Sequence, residues 1–116
     1  GHGVGFFLNV HEGPQAISKF NSVKIKEGMI LSNEPGFYKK GGFGIRIENL
    51  VYVKKENKKI FFKNLTLAPI EKDLIDYKLL TKYEKDYLFR YHLDVYSKIS
   101  PFLNQEEKSW LARFIQ

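Results

Sequence analysis

Apolar residues in the first part of the chain recur with the two-residue period of β-strands. Residues 43–54 show it most clearly, because isoleucines at alternate positions are separated by charged side chains. Residues 29–37 form a second apolar run that Pro35 interrupts, and residues 60–67 form a third that ends before Pro69. These three runs predict three strands.

A glycine-containing turn separates the first two predicted strands. Residues 39–42 read Lys-Lys-Gly-Gly, which is typical of a β-hairpin. Paired strands lie about 5 Å apart, so Glu34 and Glu48, one on each strand, are expected to converge. Arg46 should point to the same side as Glu48, while the isoleucines flanking Arg46 pack on the other side.

The second half of the chain has the spacing of amphipathic helices. Thr81 and Glu84 fit a capping box at a helix start, Pro101 should end that helix, and Asn104 and Glu107 suggest a second cap. The apolar positions expected to face the core are Leu88, Tyr91, Val95 and Ile99 in the first helix and Trp110, Leu111 and Phe114 in the second.

Strands followed by helices in one short chain indicate an α+β fold. We expect residues 1–116 to form one domain or part of one, with strands over 1–70 and a helical tail over 71–116. The sequence contains no apolar run long enough to span a membrane and no signal-peptide pattern. It has no cysteine, which excludes disulfides and thiolate metal sites and fits a reducing compartment.

The net charge of +6 raises the alternative of nucleic-acid binding. Only three of the 19 basic residues are arginine, and the lysines cluster in predicted turns, where sheet proteins place solvated charge. Base readout favours arginine, and no RNA-binding signature or recognition helix is visible. We therefore predict no nucleic-acid partner.

Two histidines and two carboxylates within the first 48 residues indicate part of a metal site. His2 lies between two glycines, which we expect to leave room for a metal or ligand beside its ring. Each residue also has a plainer interpretation: His11 as a loop histidine, Glu34 as a turn residue, and Glu48 as one half of a surface ion pair with Arg46. Their occurrence together favours the metal site.

Four segments carry a resemblance to a known family. They are Gly-His-Gly-Val-Gly at 1–5, Asn-Val-His-Glu-Gly-Pro-Gln at 9–15, Asn-Glu-Pro-Gly-Phe-Tyr at 33–38 and Phe-Gly-Ile-Arg-Ile-Glu-Asn at 43–49. Together they closely resemble aminopeptidase P, the Xaa-Pro aminopeptidases of the M24 metallopeptidases. Residues 64–70, 91–92 and 110–111 resemble the tail of the large cytosolic eukaryotic type.

This resemblance implies the C-terminal part of a pita-bread catalytic domain with a dinuclear metal centre. The metal is usually manganese, with zinc or cobalt as alternatives. By residue matching, the metal ligands are His2, Glu34 and Glu48. Glu48 matches a carboxylate that bridges both metals, and Glu34 one that binds a metal and shuttles a proton.

The resemblance also implies a reaction and its remaining residues. The family removes the N-terminal residue from peptides with proline in second position, by attack of a hydroxide held between two metals. His11 matches a histidine that hydrogen-bonds the substrate and steadies the tetrahedral intermediate. Arg46 would orient the metal-bound carboxylates, with Tyr38 beside it.

One departure from the family pattern concerns the remaining ligands. The family uses two aspartates and a further histidine upstream of the Gly-His-Gly segment, and this chain has no matching residues. Its aspartates at 73, 76, 86 and 94 all follow the motifs. We therefore expect an incomplete C-terminal fragment that is inactive alone and binds metal poorly.

Partners and location follow from the same resemblance. The intact enzyme is expected to be a cytoplasmic homodimer that acts on peptides with penultimate proline and binds neither nucleic acid nor membrane. The alternative is a non-catalytic pita-bread module that binds peptides or proteins. The joint presence of His2, His11, Glu34, Arg46 and Glu48 argues against that alternative, because binding alone does not require this set.

Overall fold

The computed structural model describes residues 1–7 and 9–115, which form two compact units. The first is Gly1–Thr66 and the second begins at Leu67. The first unit contains the strands and the second contains the helices. No helix in the described part of the chain is both long enough and apolar enough to cross a membrane.

The first unit contains two small antiparallel sheets. One has three strands in the order β1–β4–β5, and the other pairs β2 with β3. The strands are β1 (Ile30–Asn33), β2 (Gly36–Tyr38), β3 (Gly44–Arg46), β4 (Asn49–Glu56) and β5 (Lys59–Asn64).

The predicted hairpin forms, but both of its arms are interrupted. The break after β1 was expected at Pro35, which has no N–H to donate to a ladder. The continuous strand predicted over 43–54 is wrong, because Ile47 and Glu48 separate β3 from β4 opposite the first break. One hydrogen bond still crosses this gap, from Ile47 N to Pro35 O at 3.2 Å.

The core of the first unit lies under the three-stranded sheet. Leu31, Val51 and Val53 are buried there, and Ile17, Ile25 and Met29 pack against them. Among the residues of this unit that the structure describes, none covers the two-stranded sheet in the same way. Its apolar face, formed by Pro35, Phe37, Ile45 and Ile47, lines an open groove of about 340 Å³. The expected packing of the isoleucines therefore fails: Ile45 is 39% and Ile47 48% exposed.

The second unit contains two capped helices, as predicted. Helix α1 (Lys82–Ile99) begins with a capping box between Thr81 and Glu84, and α2 (Gln105–Phe114) begins with one between Asn104 and Glu107. Each box satisfies backbone N–H groups that a helix start leaves without intrahelical partners. Pro101 lies in the short 3-10 turn Ser100–Phe102 that follows α1.

Four of the seven apolar positions predicted to face the core of the helices are buried, Ile99 and Phe114 are half-buried, and Trp110 is exposed. Leu88, Tyr91 and Val95 of α1 and Leu111 of α2 are buried, and the Tyr91 hydroxyl donates to Ala68 O at 2.6 Å. Trp110 is instead 54% exposed and stacks on Phe114 with ring centroids 5.2 Å apart. Adjacent helix positions differ by about 100°, so Trp110 and Leu111 do not share a face.

A buried histidine joins three segments of the second unit. His92 is 3% exposed, its Nε2 accepts a hydrogen bond from Ile70 N at 3.1 Å, and its ring also bonds the Ile115 backbone. Burial lowers the pKa of His92, and the bond to Ile115 opposes part of that shift. Accepting from an N–H requires the neutral ring, so this contact depends on pH.

We predict that His92 makes the helical unit sensitive to mild acid. Its pKa is lower folded than unfolded, so its stabilisation is complete above about pH 6.5 and is lost as pH falls below that value. Thermal unfolding followed by helical circular dichroism should show this fall. His92→Gln, which cannot take up the proton, should flatten it.

The control for this experiment is His11→Gln, since His11 is exposed. The variant should keep the unsubstituted slope of melting temperature against pH. If melting temperature changes with pH equally in the His92→Gln and unsubstituted chains, His92 is not the cause of the acid sensitivity.

Candidate metal centre

The candidate site lies on one face of the interrupted hairpin. Asn33 pairs with Asn49 and Gly36 with Arg46, and two residues lie between these pairs on each arm. The register is therefore the same on both sides of the break, which places Glu34 opposite Glu48. Residues two apart share a face in strands, so the site face carries Ser32, Glu34, Tyr38, Arg46 and Glu48.

The third candidate ligand comes from the segment that runs beside β1. Ser32 N donates to His2 O at 2.8 Å, and His2 N donates to Ser32 Oγ at 2.9 Å. Gly3 forms an isolated bridge with Leu31 on the same side of β1. These contacts hold the backbone of His2 beside Ser32, two residues before Glu34.

The glycines around His2 allow other chain segments to approach closely. A Cβ on Gly1 would lie 1.8 Å from Ser32 O, and one on Gly3 would lie 2.1 Å from Glu12 O. The space at the Cβ positions of these two glycines is therefore filled by protein backbone. The two glycines thus admit neighbouring chain segments, and the expected room for a metal beside the His2 ring stays a prediction.

The imidazole and the two carboxylates form a compact cluster. One ligand atom from each of His2, Glu34 and Glu48 lies within 4.8 Å of the others, and His2 Nε2 is 3.4 Å from Glu34 Oε1. The Nδ1 of His2 lies 2.8 Å from Gly3 O, a carbonyl that can only accept. A neutral ring therefore carries its proton on Nδ1 and turns the Nε2 lone pair toward the carboxylates.

Arg46 lies between the two carboxylates. Its Nη1 is 3.4 Å from Glu34 Oε2 and 3.8 Å from Glu48 Oε2, and its Nε donates to the Tyr38 hydroxyl at 2.9 Å. The Tyr38 hydrogen bond and the carboxylates raise the pKa of Arg46 above its ordinary value. A plain Arg46–Glu48 pair does not account for this geometry, because the guanidinium is closer to Glu34.

Glu34 is held as a carboxylate anion. A hydrogen bond from Ser32 Oγ to Oε1 at 2.8 Å is the largest cause of its lowered pKa. Burial opposes the shift, while His2 and Arg46 add to it. Sequence reasoning did not single out Ser32. The available signal was its position two residues before Glu34, on the same face of the strand.

His11 lies next to this cluster without joining it. Its ring centroid is 4.1 Å from that of His2, with the ring planes inclined by 37°. Its loop is held where Glu12 N donates to Gly3 O at 3.0 Å and Gly3 N donates to Gln15 O at 2.9 Å. The ring is exposed and therefore accessible to a bound substrate.

The donor set fits a divalent metal. One imidazole nitrogen and two carboxylates are ligands that manganese, zinc and cobalt accept. A proton on Nδ1, next to Gly3 O, would leave Nε2 available for ligation, and the lowered pKa of Glu34 favours the anionic form that ligation needs. Residues His2, Glu34 and Glu48 would hold the ion.

Comparisons with known proteins agree with this chemistry. Residues 1–55 match the model of metallopeptidase family M24, and residues 58–116 match that of the C-terminal region of M24 peptidases. The chain belongs to the M24 metallopeptidase family. The resemblance read from the motifs is thereby confirmed.

Curated relatives in this M24 family cover the chain almost completely. A probable Xaa-Pro aminopeptidase P of Coprinopsis cinerea is 45% identical over 97% of this chain and 20% of its own length. Xaa-Pro aminopeptidase 1 of Dictyostelium discoideum is 44% identical over the whole chain and 21% of its own length. The chain thus spans about a fifth of the length of the curated relatives it matches.

A solved M24 structure confirms the fold class. X-prolyl aminopeptidase from Caenorhabditis elegans, described as a cytosolic enzyme with a di-nuclear active site, superposes with a TM-score of 0.84. It is 37% identical, over 99% of this chain and 20% of that protein. Antiparallel strands followed by helices match the C-terminal part of its pita-bread fold.

We predict that Glu48 and Arg46 differ in their effect on metal binding. In the full-length protein, Glu48→Gln removes a ligand, whereas Arg46→Lys leaves every ligand in place. Arg46→Lys should weaken manganese binding by about 10–100-fold, as loss of a group that orients a ligand does, and Glu48→Gln should weaken it more. Calorimetric titration measures both.

Glu56→Gln is the matched control for this comparison, because Glu56 pairs with Lys54 at 2.8 Å away from the ligand cluster. It should bind manganese as the unsubstituted protein does. Equal, small effects of Glu48→Gln and Arg46→Lys on manganese binding would support the simpler interpretation that the two residues form a surface ion pair.

Proposed function

We propose that this chain supplies part of the active site of a Xaa-Pro aminopeptidase. The enzyme would release the N-terminal residue from peptides with proline in second position. The observation that carries the proposal is the convergence of His2, Glu34 and Glu48 within 4.8 Å on one side of the hairpin. The relatives named as Xaa-Pro aminopeptidases supply the substrate class.

We propose manganese as the metal, with two ions in the complete site. The donor set supports this choice, because carboxylates and imidazole suit manganese and the sequence contains no thiolate ligand. Zinc and cobalt are the alternatives. When bound, the two ions would supply Lewis-acid activation of water and polarisation of the scissile carbonyl.

The protein residues would move the proton and hold the substrate. Glu34, held by Ser32, would take a proton from the attacking water and pass it to the leaving proline nitrogen. Arg46, held by Tyr38, would keep both carboxylates in place. The exposed His11 ring would donate to the oxygen that gains negative charge.

We further propose that the enzyme works in the cytoplasm and binds neither nucleic acid nor membrane. Support for the location comes from the related Caenorhabditis elegans enzyme, which is described as cytosolic. Support for the absence of nucleic acid comes from the charge distribution, since lysine supplies nearly all of the positive excess.

We predict metal-dependent cleavage by the full-length protein. A chelator should abolish release of the first residue from a peptide that carries proline second, and manganese should restore it. The matched substrate has alanine in place of that proline and should be cleaved far more slowly. Cleavage that survives complete metal removal would contradict this mechanism. Peptide binding without cleavage would favour the non-catalytic module.

We also propose a homodimer in which the helical unit contributes to the contact. Leu88, Tyr91 and Val95 are buried within the unit, so they are not available for a contact. Phe89 and Leu93 of α1 and Trp110 of α2 are exposed, which supports a further packing role for these side chains.

We predict that the full-length protein sediments as a dimer at micromolar concentration. Leu93→Glu should shift it toward the monomer, because it places a charge in the apolar contact. Lys85→Glu, an exposed change on the same helix, should leave the dimer intact. A monomeric unsubstituted protein would rule the dimer out.

A further inference from the structure

Ser32 is a fully buried polar side chain in the strand that leads to the metal centre. It is 0% exposed and lies on β1, two residues before Glu34. A buried hydroxyl is costly unless its hydrogen bonds are satisfied. Its partners therefore show what it contributes to the fold and to the site.

Both segments that carry ligands are tied to Ser32. Its Oγ accepts from His2 N at 2.9 Å and donates to Glu34 Oε1 at 2.8 Å, and its own N–H donates to His2 O at 2.8 Å. The other acceptor near the hydroxyl, His2 O, is 3.5 Å away. A hydroxyl has one proton, and the shorter contact directs it to Glu34.

These bonds fix which oxygen of Glu34 faces the imidazole. Oε1, which the hydroxyl holds, is the oxygen 3.4 Å from His2 Nε2, while Oε2 is the oxygen near Arg46. Without the hydroxyl, the carboxylate would lose its shortest contact and keep the two looser ones, with Arg46 and His2, at 3.4 Å each. The His2 backbone would lose the acceptor that aligns it with β1.

We infer that Ser32 is a positioning residue that holds Glu34 and His2 as a preformed pair of ligands. The inference deepens the proposed function and rests on it for the identity of the metal. This positioning role requires a short side chain with a hydroxyl, since the group must both accept and donate a hydrogen bond within a filled site. Threonine meets that requirement and alanine does not.

The test compares metal binding and kinetics in the full-length protein. Ser32→Ala should weaken manganese binding, measured by calorimetric titration of the metal-free protein, by about 10–100-fold. It should also lower kcat for a Xaa-Pro peptide at saturating manganese more than it raises KM, because Ser32 does not touch the substrate. Ser32→Thr should restore most of both losses.

Two further variants control for folding and for loss of a serine in general. Ser97→Ala removes the same hydroxyl from an exposed position on α1 and should bind manganese normally. Thermal unfolding shows whether each variant is folded. If Ser32→Ala does not fold, Ser32→Cys keeps a weak donor of similar size, and its manganese affinity should fall between those of serine and alanine.

The outcomes separate this inference from the proposed function. Unchanged manganese affinity and kcat in a folded Ser32→Ala protein would overturn the positioning role, even if Xaa-Pro cleavage is observed. A protein that binds manganese more weakly after Ser32→Ala but cleaves no Xaa-Pro peptide would support the positioning role and overturn the function. A variant that only melts earlier would show that Ser32 acts on stability alone.

Discussion

The candidate metal centre depends on one constraint, which is that the hairpin keeps its register across a break in both arms. The pairs Asn33–Asn49 and Gly36–Arg46 belong to the same register, although no regular ladder joins them. Had one arm carried an extra residue, the side chains beyond the break would have changed faces. Because two residues lie in the break on each arm, Glu34 and Glu48 lie outside the regular strands. They still stay on the side where Arg46 lies.

This arrangement places two like charges opposite each other, which a sheet ordinarily avoids. The surrounding groups reduce the cost: a guanidinium lies between Glu34 and Glu48, and a hydroxyl donates to Glu34. Arg46 offsets the charge of one carboxylate, which leaves a donor set of the kind that a cation site needs. Local rules of stability are commonly broken at functional sites, and this violation supports the candidate cation site.

Sequence reasoning succeeded where the signals were local. The hairpin turn and both capping boxes are set by a few adjacent residues, so they could be read directly. The break at Ile47 lies opposite the break at Pro35, and it was missed because each strand was read from its own residues. Trp110 was placed on the face of its neighbour Leu111, although adjacent helix positions point in directions about 100° apart. Convergence of the carboxylates followed from the hairpin, but Ser32 was missed, since a buried hydroxyl in a strand looks like any other small side chain.

The two glycines beside His2 affect how the essential positions found by mutating such a protein are interpreted. Any side chain at residues 1 or 3 would displace backbone oxygens of Ser32 or Glu12, and the imidazole would move with them. A mutational scan would therefore rank Gly1 and Gly3 with His2, although neither glycine has a side chain to offer a metal. Positions around this site that do not accept substitution therefore include residues needed for chain packing as well as residues that take part in the chemistry.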